Sequence, residues 1–321
     1  MAKATRGADA TGAAPAVAAL PQRRWHALAR PPVLVASLLI AIAAVQSSLL
    51  IYADLNLQYP FMFPDSYDWI ANGLYYAGHA VRYTARPPGL PLIIAALART
   101  GALWLLPLVN QVVLLGVLAA CYRLYTGAVT RMVALVAVAL LFASSFVQSL
   151  ALYVLADLYC LLFLALSLLE FARAREAPRR YVLSALYLGI SLTFQYAGIA
   201  LLPAYGLVWL ICRRRTPAWR HLALAAATVV AILGPWILYR WVAFDDPMYS
   251  GVQHGELVRW HLDSIPFYLF NTVGAVGLVG CALALVGLMV ALRHGRDETL
   301  LLMLLALAGN IVFWVLLYDW N

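Results

Sequence analysis

Residues 33–53 read VLVASLLIAIAAVQSSLLIYA, an uninterrupted run without a charged side chain. Its 21 residues form a helix ~32 Å long at ~1.5 Å rise per residue, enough to cross a ~30 Å hydrocarbon core. The run exceeds the ~7–15 residues of a signal-peptide core, so it is expected to stay as an anchor. Basic residues precede it at Lys3, Arg6, Arg23, Arg24 and Arg30, and Asp54 follows it. That asymmetry sets its direction, because loops that remain in the cytoplasm keep their Lys and Arg.

The rest of the chain repeats this grammar. Of 321 residues, 64% are apolar and 11% charged, against roughly 25% charged in a soluble domain. Mean hydropathy is +0.84. These values exclude soluble globular, disordered and fibrous classes. Cys121, Cys160, Cys212 and Cys281 lie far apart in apolar stretches with no partner at metal spacing, so they are read as apolar fillers. The net charge of +8 does not signal nucleic acid. Seventeen of the 22 cations collect at the ends of apolar runs, leaving Arg82, Arg86, Arg99, Arg240 and Arg259 as exceptions.

Placing the basic clusters inside gives an all-α polytopic membrane protein of about nine transmembrane helices, with a cytoplasmic N-terminus in a plasma or inner membrane. The runs are Val33–Ala53, Leu105–Cys121, Met132–Val147, Leu150–Phe171, two short helices within Tyr181–Cys212 turning near Gln195 to Gly198, Leu222–Trp241, Phe267–Leu292 and Leu300–Leu317. Pro91–Ala98 is too short to cross. Residues 1–30 read as a disordered tail, 31–321 as the membrane domain and 54–100 as its first outer loop. The end at Tyr318-Asp319-Trp320-Asn321, directly after a span, suggests a truncated gene or a fragment.

This topology puts Asp54, Asp65, Asp68, Asp157, Asp245, Asp246, Glu256, Asp263 and Asp319 at or near the outer side, so any chemistry is expected there. The richest stretch is Phe63-Pro64-Asp65-Ser66-Tyr67-Asp68-Trp69-Ile70-Ala71-Asn72-Gly73-Leu74-Tyr75-Tyr76. Helical spacing gathers Trp69, Ile70, Gly73, Leu74 and Ala77 on one face, which predicts an interfacial amphipathic helix facing outward. Two readings of Asp65 stand. It is an N-cap after proline, or it is a functional carboxylate. Downstream, Pro87-Pro88-Gly89-Leu90-Pro91 is expected to forbid regular helix and fix a rigid turn. Arg82 and Arg86 then lie in the headgroup zone, either snorkelling or holding a lipid phosphate bidentately. The loop from Tyr249 to Asp263 holds His254 and Glu256, then His261 and Asp263, each pair two residues apart. No complete metal signature results, so a solvated loop is the reading, with acceptor or divalent-metal binding as the alternative.

One span, an outer helix that opens Pro64-Asp65 and carries Tyr67, a Pro-Pro-Gly-x-Pro turn and many further spans resemble the GT-C superfamily of membrane glycosyltransferases, which includes protein O-mannosyltransferases and aminoarabinose transferases. Asp65 matches the leading acid of the acidic pair in the family's first outer loop. Ser66 departs from it, which leaves Asp68 or Asp54 to supply a second carboxylate. Asp157 sits where relatives often carry an outer acid, and Gln195 follows Leu192-Thr193-Phe194 where many have Leu-Thr-Arg. Gly234-Pro235-Trp236 to Arg240, running into Phe244-Asp245-Asp246-Pro247, resembles the family's Pro-Trp-x-x-Arg segment and following turn.

The resemblance implies an inverting glycosyltransferase that moves a sugar from a polyprenyl-phosphate carrier to a glycan, lipid or protein acceptor on the outer face, with membrane lipid around it; the absence of a metal signature adds the expectation of no cofactor, with a divalent metal as the alternative. It implies catalysis by Asp65 with Asp68 or Asp54, donor-phosphate binding by Arg86, Arg82 and Arg240, and a substrate pocket drawn from Tyr67, Asp157, Gln195, Asp246, His254 and Glu256. A transporter or lipid flippase, or a non-catalytic relative that only binds the carrier, would share the same hydropathy.

Overall fold

The computed structural model of the chain describes residues 64–81, 86–211, 219–244 and 298–311, with isolated positions at 42, 45 and 289. All regular structure among the described residues is helical. In chain order the helices are α1 Pro64–Ala77, α2 Gly89–Arg99, α3 Leu106–Tyr125, α4 Arg131–Ala143, α5 Ser145–Leu152, α6 Asp157–Arg173, α7 Arg180–Phe194, α8 Leu201–Ile211, α9 Trp219–Phe244 and α10 Glu298–Ile311. Short 3₁₀ turns precede α3 at Leu103–Leu105 and α8 at Tyr196–Ala200.

Local chemistry sets most of these boundaries. Thr130 caps α4 by accepting from the Val133 amide. Gly78 and Gly101 end α1 and α2 at positive φ, 97° and 68°. In each case the two following amides return to the last turn: Gly78 and His79 to the carbonyls of Tyr75 and Leu74, Gly101 and Ala102 to those of Ala98 and Leu97. Only glycine takes that backbone without a steric penalty.

The expected rigid Pro-rich turn is shorter than the sequence implied. Gly89, Leu90 and Pro91 already form the first turn of α2, with Pro88 at its N-cap position and the Leu92 amide bonded to the Pro88 carbonyl at 2.9 Å. Proline costs nothing there, because the first amides of a helix have no internal acceptor. Asp65 likewise lies in the first turn of α1, after Pro64, rather than at its N-cap.

Two helical stretches, Leu103–Tyr125 and Trp219–Ala243, are each long and apolar enough to cross a membrane, and the bent pair Arg131–Ala143 with Phe146–Leu152 makes a third if it acts as one span. The described residues do not reach nine spans. α7 has 15 residues and α8 has 11, so at ~1.5 Å per residue each falls short of a ~30 Å core on its own. The expected run Met132–Val147 breaks at Ser144, where the chain turns by 60°, and the return does not begin at Leu150 because α6 starts at Asp157. The expected spans Val33–Ala53 and Phe267–Leu292 lie, apart from single positions, outside the described residues.

α6 and α7 form the most extensive helix pair. They run antiparallel and are locked at mid-length by a reciprocal contact in which Ser167 Oγ donates to the Ser184 carbonyl at 2.8 Å and Ser184 Oγ donates to the Ser167 carbonyl at 2.9 Å, with Tyr205 OH 2.7 Å from Ser167 Oγ. Small hydroxyl residues let two backbones approach and satisfy each other without water. At one end of this pair Arg180 and Arg173 hold Glu170 at 2.6 and 3.5 Å, and Arg175 faces Glu298 at 3.7 Å. At the other end lie Asp157 and Gln195. The bundle is therefore polar at both ends, and basic residues concentrate at one.

α1 and α2 fold against the Asp157 end. Trp69, Leu90, Ile94, Leu114, Leu158 and Phe194 share one buried core that joins α1, α2, α3, α6 and α7. The buried face of α1 comprises Ser66, Trp69, Asn72 and Gly73. Ile70 and Leu74, expected on that face, are only partly covered. Arg99 closes the hairpin by donating to the Tyr76 carbonyl at 2.6 Å.

Candidate functional site

The first turn of α1 carries Asp65, and helical spacing puts Asp68 one turn further along the same side. Arg86 approaches both from the segment before α2. Its Nη2 donates to Asp65 Oδ1 at 2.9 Å and to Asp68 Oδ2 at 2.7 Å, and its Nε lies 3.3 Å from the same Asp68 oxygen. The guanidinium also sits over the indole of Trp69, with Cζ 5.4 Å from the ring centroid. Pro87 and Pro88, both buried, fix the chain immediately after Arg86. One cation thus serves two carboxylates while resting on an aromatic face.

Asp157 opens α6 beside this group. Gln195, in extended backbone at the end of α7, donates Nε2 to Asp157 Oδ1 at 2.9 Å. Asp157 lies within electrostatic reach of both Asp65 and Arg86. Arg86 pairs with the two carboxylates on α1, which are partly open to solvent, with side chains 49% and 40% exposed against 20% for Arg86.

Buried polar bonds join α3, α6 and the chain just past α5. Tyr159 OH donates to Asn110 Oδ1 at 2.6 Å, and Asn110 Nδ2 donates to the Tyr153 carbonyl at 3.2 Å. The Tyr159 ring stacks on Phe194 at 5.2 Å and Phe194 on Phe163 at 5.7 Å. A Cβ on Gly89 would stand 2.8 Å from the Phe194 ring, so only glycine lets α2 begin this close to α7.

The structure thus brings Asp65, Asp68, Arg86, Asp157 and Gln195 together. Tyr67 lies on the exposed face of α1, 62% accessible, rather than among them. Arg240 is buried on α9 with its Cζ 5.9 Å from the Trp236 ring. Trp236 donates to Tyr196 OH at 3.2 Å and meets Tyr76 edge-on at 6.5 Å. Because Tyr196 follows Gln195, this aromatic group adjoins the carboxylate cluster through the chain. Asp54, Arg82, Asp246, His254 and Glu256 lie outside the described residues.

Trp69 as the platform for Arg86, and the Asn110–Tyr159 bond, were not anticipated from sequence. The signal for the second was present in Asn110-Gln111, two amides inside an otherwise apolar run. Among the described residues, no three of His, Cys, Asp and Glu group to hold a metal ion. No family model, no curated protein and no solved structure matches the chain.

The Asp157–Gln195 bond is a partly buried contact between the ends of two helices. Gln195→Leu removes its donor and is expected to cost about 1–3 kcal/mol, read as a lower thermal midpoint in detergent. An unchanged midpoint would mean that water satisfies Asp157 and that Gln195 does not position it.

Proposed function

We propose that the chain is a multi-pass membrane glycosyltransferase that transfers a sugar from a polyprenyl-phosphate carrier to a hydroxyl acceptor at the outer membrane face. The observation that supports this reading is the Asp65–Arg86–Asp68 cluster with Asp157 beside it, at the end of the α6–α7 pair opposite the basic residues Arg173, Arg175 and Arg180. With the basic end inside, the carboxylates face outward. The shorter helices then cross as bent or paired segments, and the chain reaches about nine spans with its N-terminus in the cytoplasm of a plasma or inner membrane.

The chemistry follows from the residue types. The acceptor oxygen attacks the anomeric carbon as the bond from that carbon to the phosphate oxygen breaks. The acceptor proton passes to the Asp65 carboxylate, and the polyprenyl phosphate leaves with the bonding electrons. A carboxylate base in contact with the acceptor is worth ~10² to 10⁴-fold, and Arg86 opposes the charge that develops on the departing phosphate. A single displacement inverts the anomeric centre. Arg240 is the further candidate for phosphate contact. Exposed apolar side chains along α9, among them Leu224, Val230, Leu238 and Val242, provide a surface that an isoprenoid tail shares with lipid.

Native mass spectrometry of the full chain in mild detergent tests the donor half. The expected result is a co-purified or added polyprenyl phosphate adduct on the wild type that is lost in Arg86→Ala. Failure of any isoprenoid phosphate to bind would sink the donor assignment. One observation favours a second reading, a transporter or flippase: the 60° break between α4 and α5, where Gln148 Nε2 donates to the Phe142 carbonyl at 2.6 Å. Discontinuous helices of this kind build transport sites. Lipid or solute flux in liposomes, with no transfer product, would select it.

A further inference from the structure

We propose that Arg86 masks the base as well as anchoring the donor, so that a phosphate group must take Arg86 from Asp65 and Asp68 before either carboxylate can accept a proton. The inference rests on the transferase reading above for what the phosphate belongs to. Its geometry is independent of that reading. As long as Nη2 bridges Asp65 Oδ1 and Asp68 Oδ2, both carboxylates are committed to a cation. Arg86 then stands against one oxygen of each carboxylate, where an acceptor hydroxyl would otherwise donate.

The two sides of the cluster differ in how they are held. Arg86 is fixed by the Trp69 face on one side and by Pro87 and Pro88 next in the chain, and its side chain is 20% exposed. Asp65 and Asp68 are about half open to solvent, at 49% and 40%. Exchange therefore proceeds by the carboxylates leaving toward water while the guanidinium stays on the indole. A planar guanidinium offers its paired N–H groups to phosphate as readily as to carboxylate, and a phosphate that arrives also repels the acids it displaces. Each acid on Arg86 is thus a competitor of the donor phosphate. The result is an obligatory order in which donor binding exposes Asp65 and the acceptor follows.

The test is equilibrium binding of farnesyl phosphate, inorganic phosphate and uncharged farnesol to the purified full chain in detergent. Asp68→Asn removes one competitor and is expected to tighten farnesyl phosphate binding by about fivefold, the scale of one partly exposed ion pair. Asp65→Asn should shift it in the same direction, which keeps the test standing if one variant does not fold. Arg86→Gln should abolish binding. Tightening for inorganic phosphate as well would show that the phosphate group alone releases the mask. Tightening for farnesyl phosphate only would show that the isoprenoid chain is needed to deliver it. Either outcome supports the exchange. Equal affinity in wild type, Asp65→Asn and Asp68→Asn, with loss in Arg86→Gln, would overturn the mask and leave the donor assignment intact. Absence of binding in wild type and both Asn variants would overturn the donor assignment and the mask with it.

Discussion

Asp65→Asn is expected to lower sugar transfer by about 10² to 10⁴-fold while leaving expression and thermal midpoint near those of the wild type. The substitution keeps the shape of the side chain and an oxygen that still accepts from Arg86 Nη2. It removes the charge and the ability to take a proton. The stability cost is small because the Asp65 side chain is 49% exposed, and ion pairs open to solvent contribute about 0–1 kcal/mol. Asp68 also remains on Arg86 at 2.7 Å, so the guanidinium keeps a partner. Parallel assays on Asp68→Asn and Asp157→Asn apportion the roles. If transfer survives in Asp65→Asn and collapses in one of the others, that acid is the base and Asp65 serves only to hold Arg86. Transfer at the wild-type rate in all three would remove the cluster from the chemistry.

Sequence carried the parts of this arrangement that local chemistry determines. A helix over the Asp65–Ala77 stretch, though it begins at Pro64 rather than after an Asp65 cap, and two helices with a turn near Gln195 within residues 181–212 follow from spacing and prolines. The break at Ser144 was passed over although Ser144-Ser145 interrupts the apolar run there, and Gln148 reaches back across it to the Phe142 carbonyl. So was the start of α6 at Asp157. The run from Leu150 is apolar up to Asp157, which lies in the first turn of α6 and packs with it against α3. Asn110 with Tyr159, 49 positions apart, is a matter of register between helices that no local pattern encodes. The same holds for Trp69: its place on one face of α1 was legible, but its role beneath Arg86 depends on how α1 folds back toward α2.

That fold-back is tested most severely by Gly73→Val, expected to destabilise the loop hairpin by about 1–3 kcal/mol or more through overpacking and to abolish transfer with it. The backbone of Gly73 is helical, so conformation is not the obstacle. Space is. A Cβ at this position would overlap the side chain of Ile94 on α2 and come 3.2 Å from the Pro91 carbonyl oxygen. Ile94 is fully buried and the carbonyl belongs to the first turn of α2, so neither neighbour moves freely. The helices must then separate. Asp65 and Asp68 sit on one of them and Arg86 leads into the other, and a shift of even ~1 Å between helices would break contacts that hold only at hydrogen-bond range. The readout is twofold, a lowered thermal midpoint and faster proteolysis near Gly78. A second substitution makes the test specific. Ile94→Ala removes the side chain that the introduced valine would strike, so the double variant should recover part of the lost stability, a coupling that a nonspecific defect would not show. If Gly73→Val alone leaves midpoint and proteolysis unchanged, α1 does not pack on α2 in this register, and the distances that join Arg86 to its two carboxylates lose their structural basis.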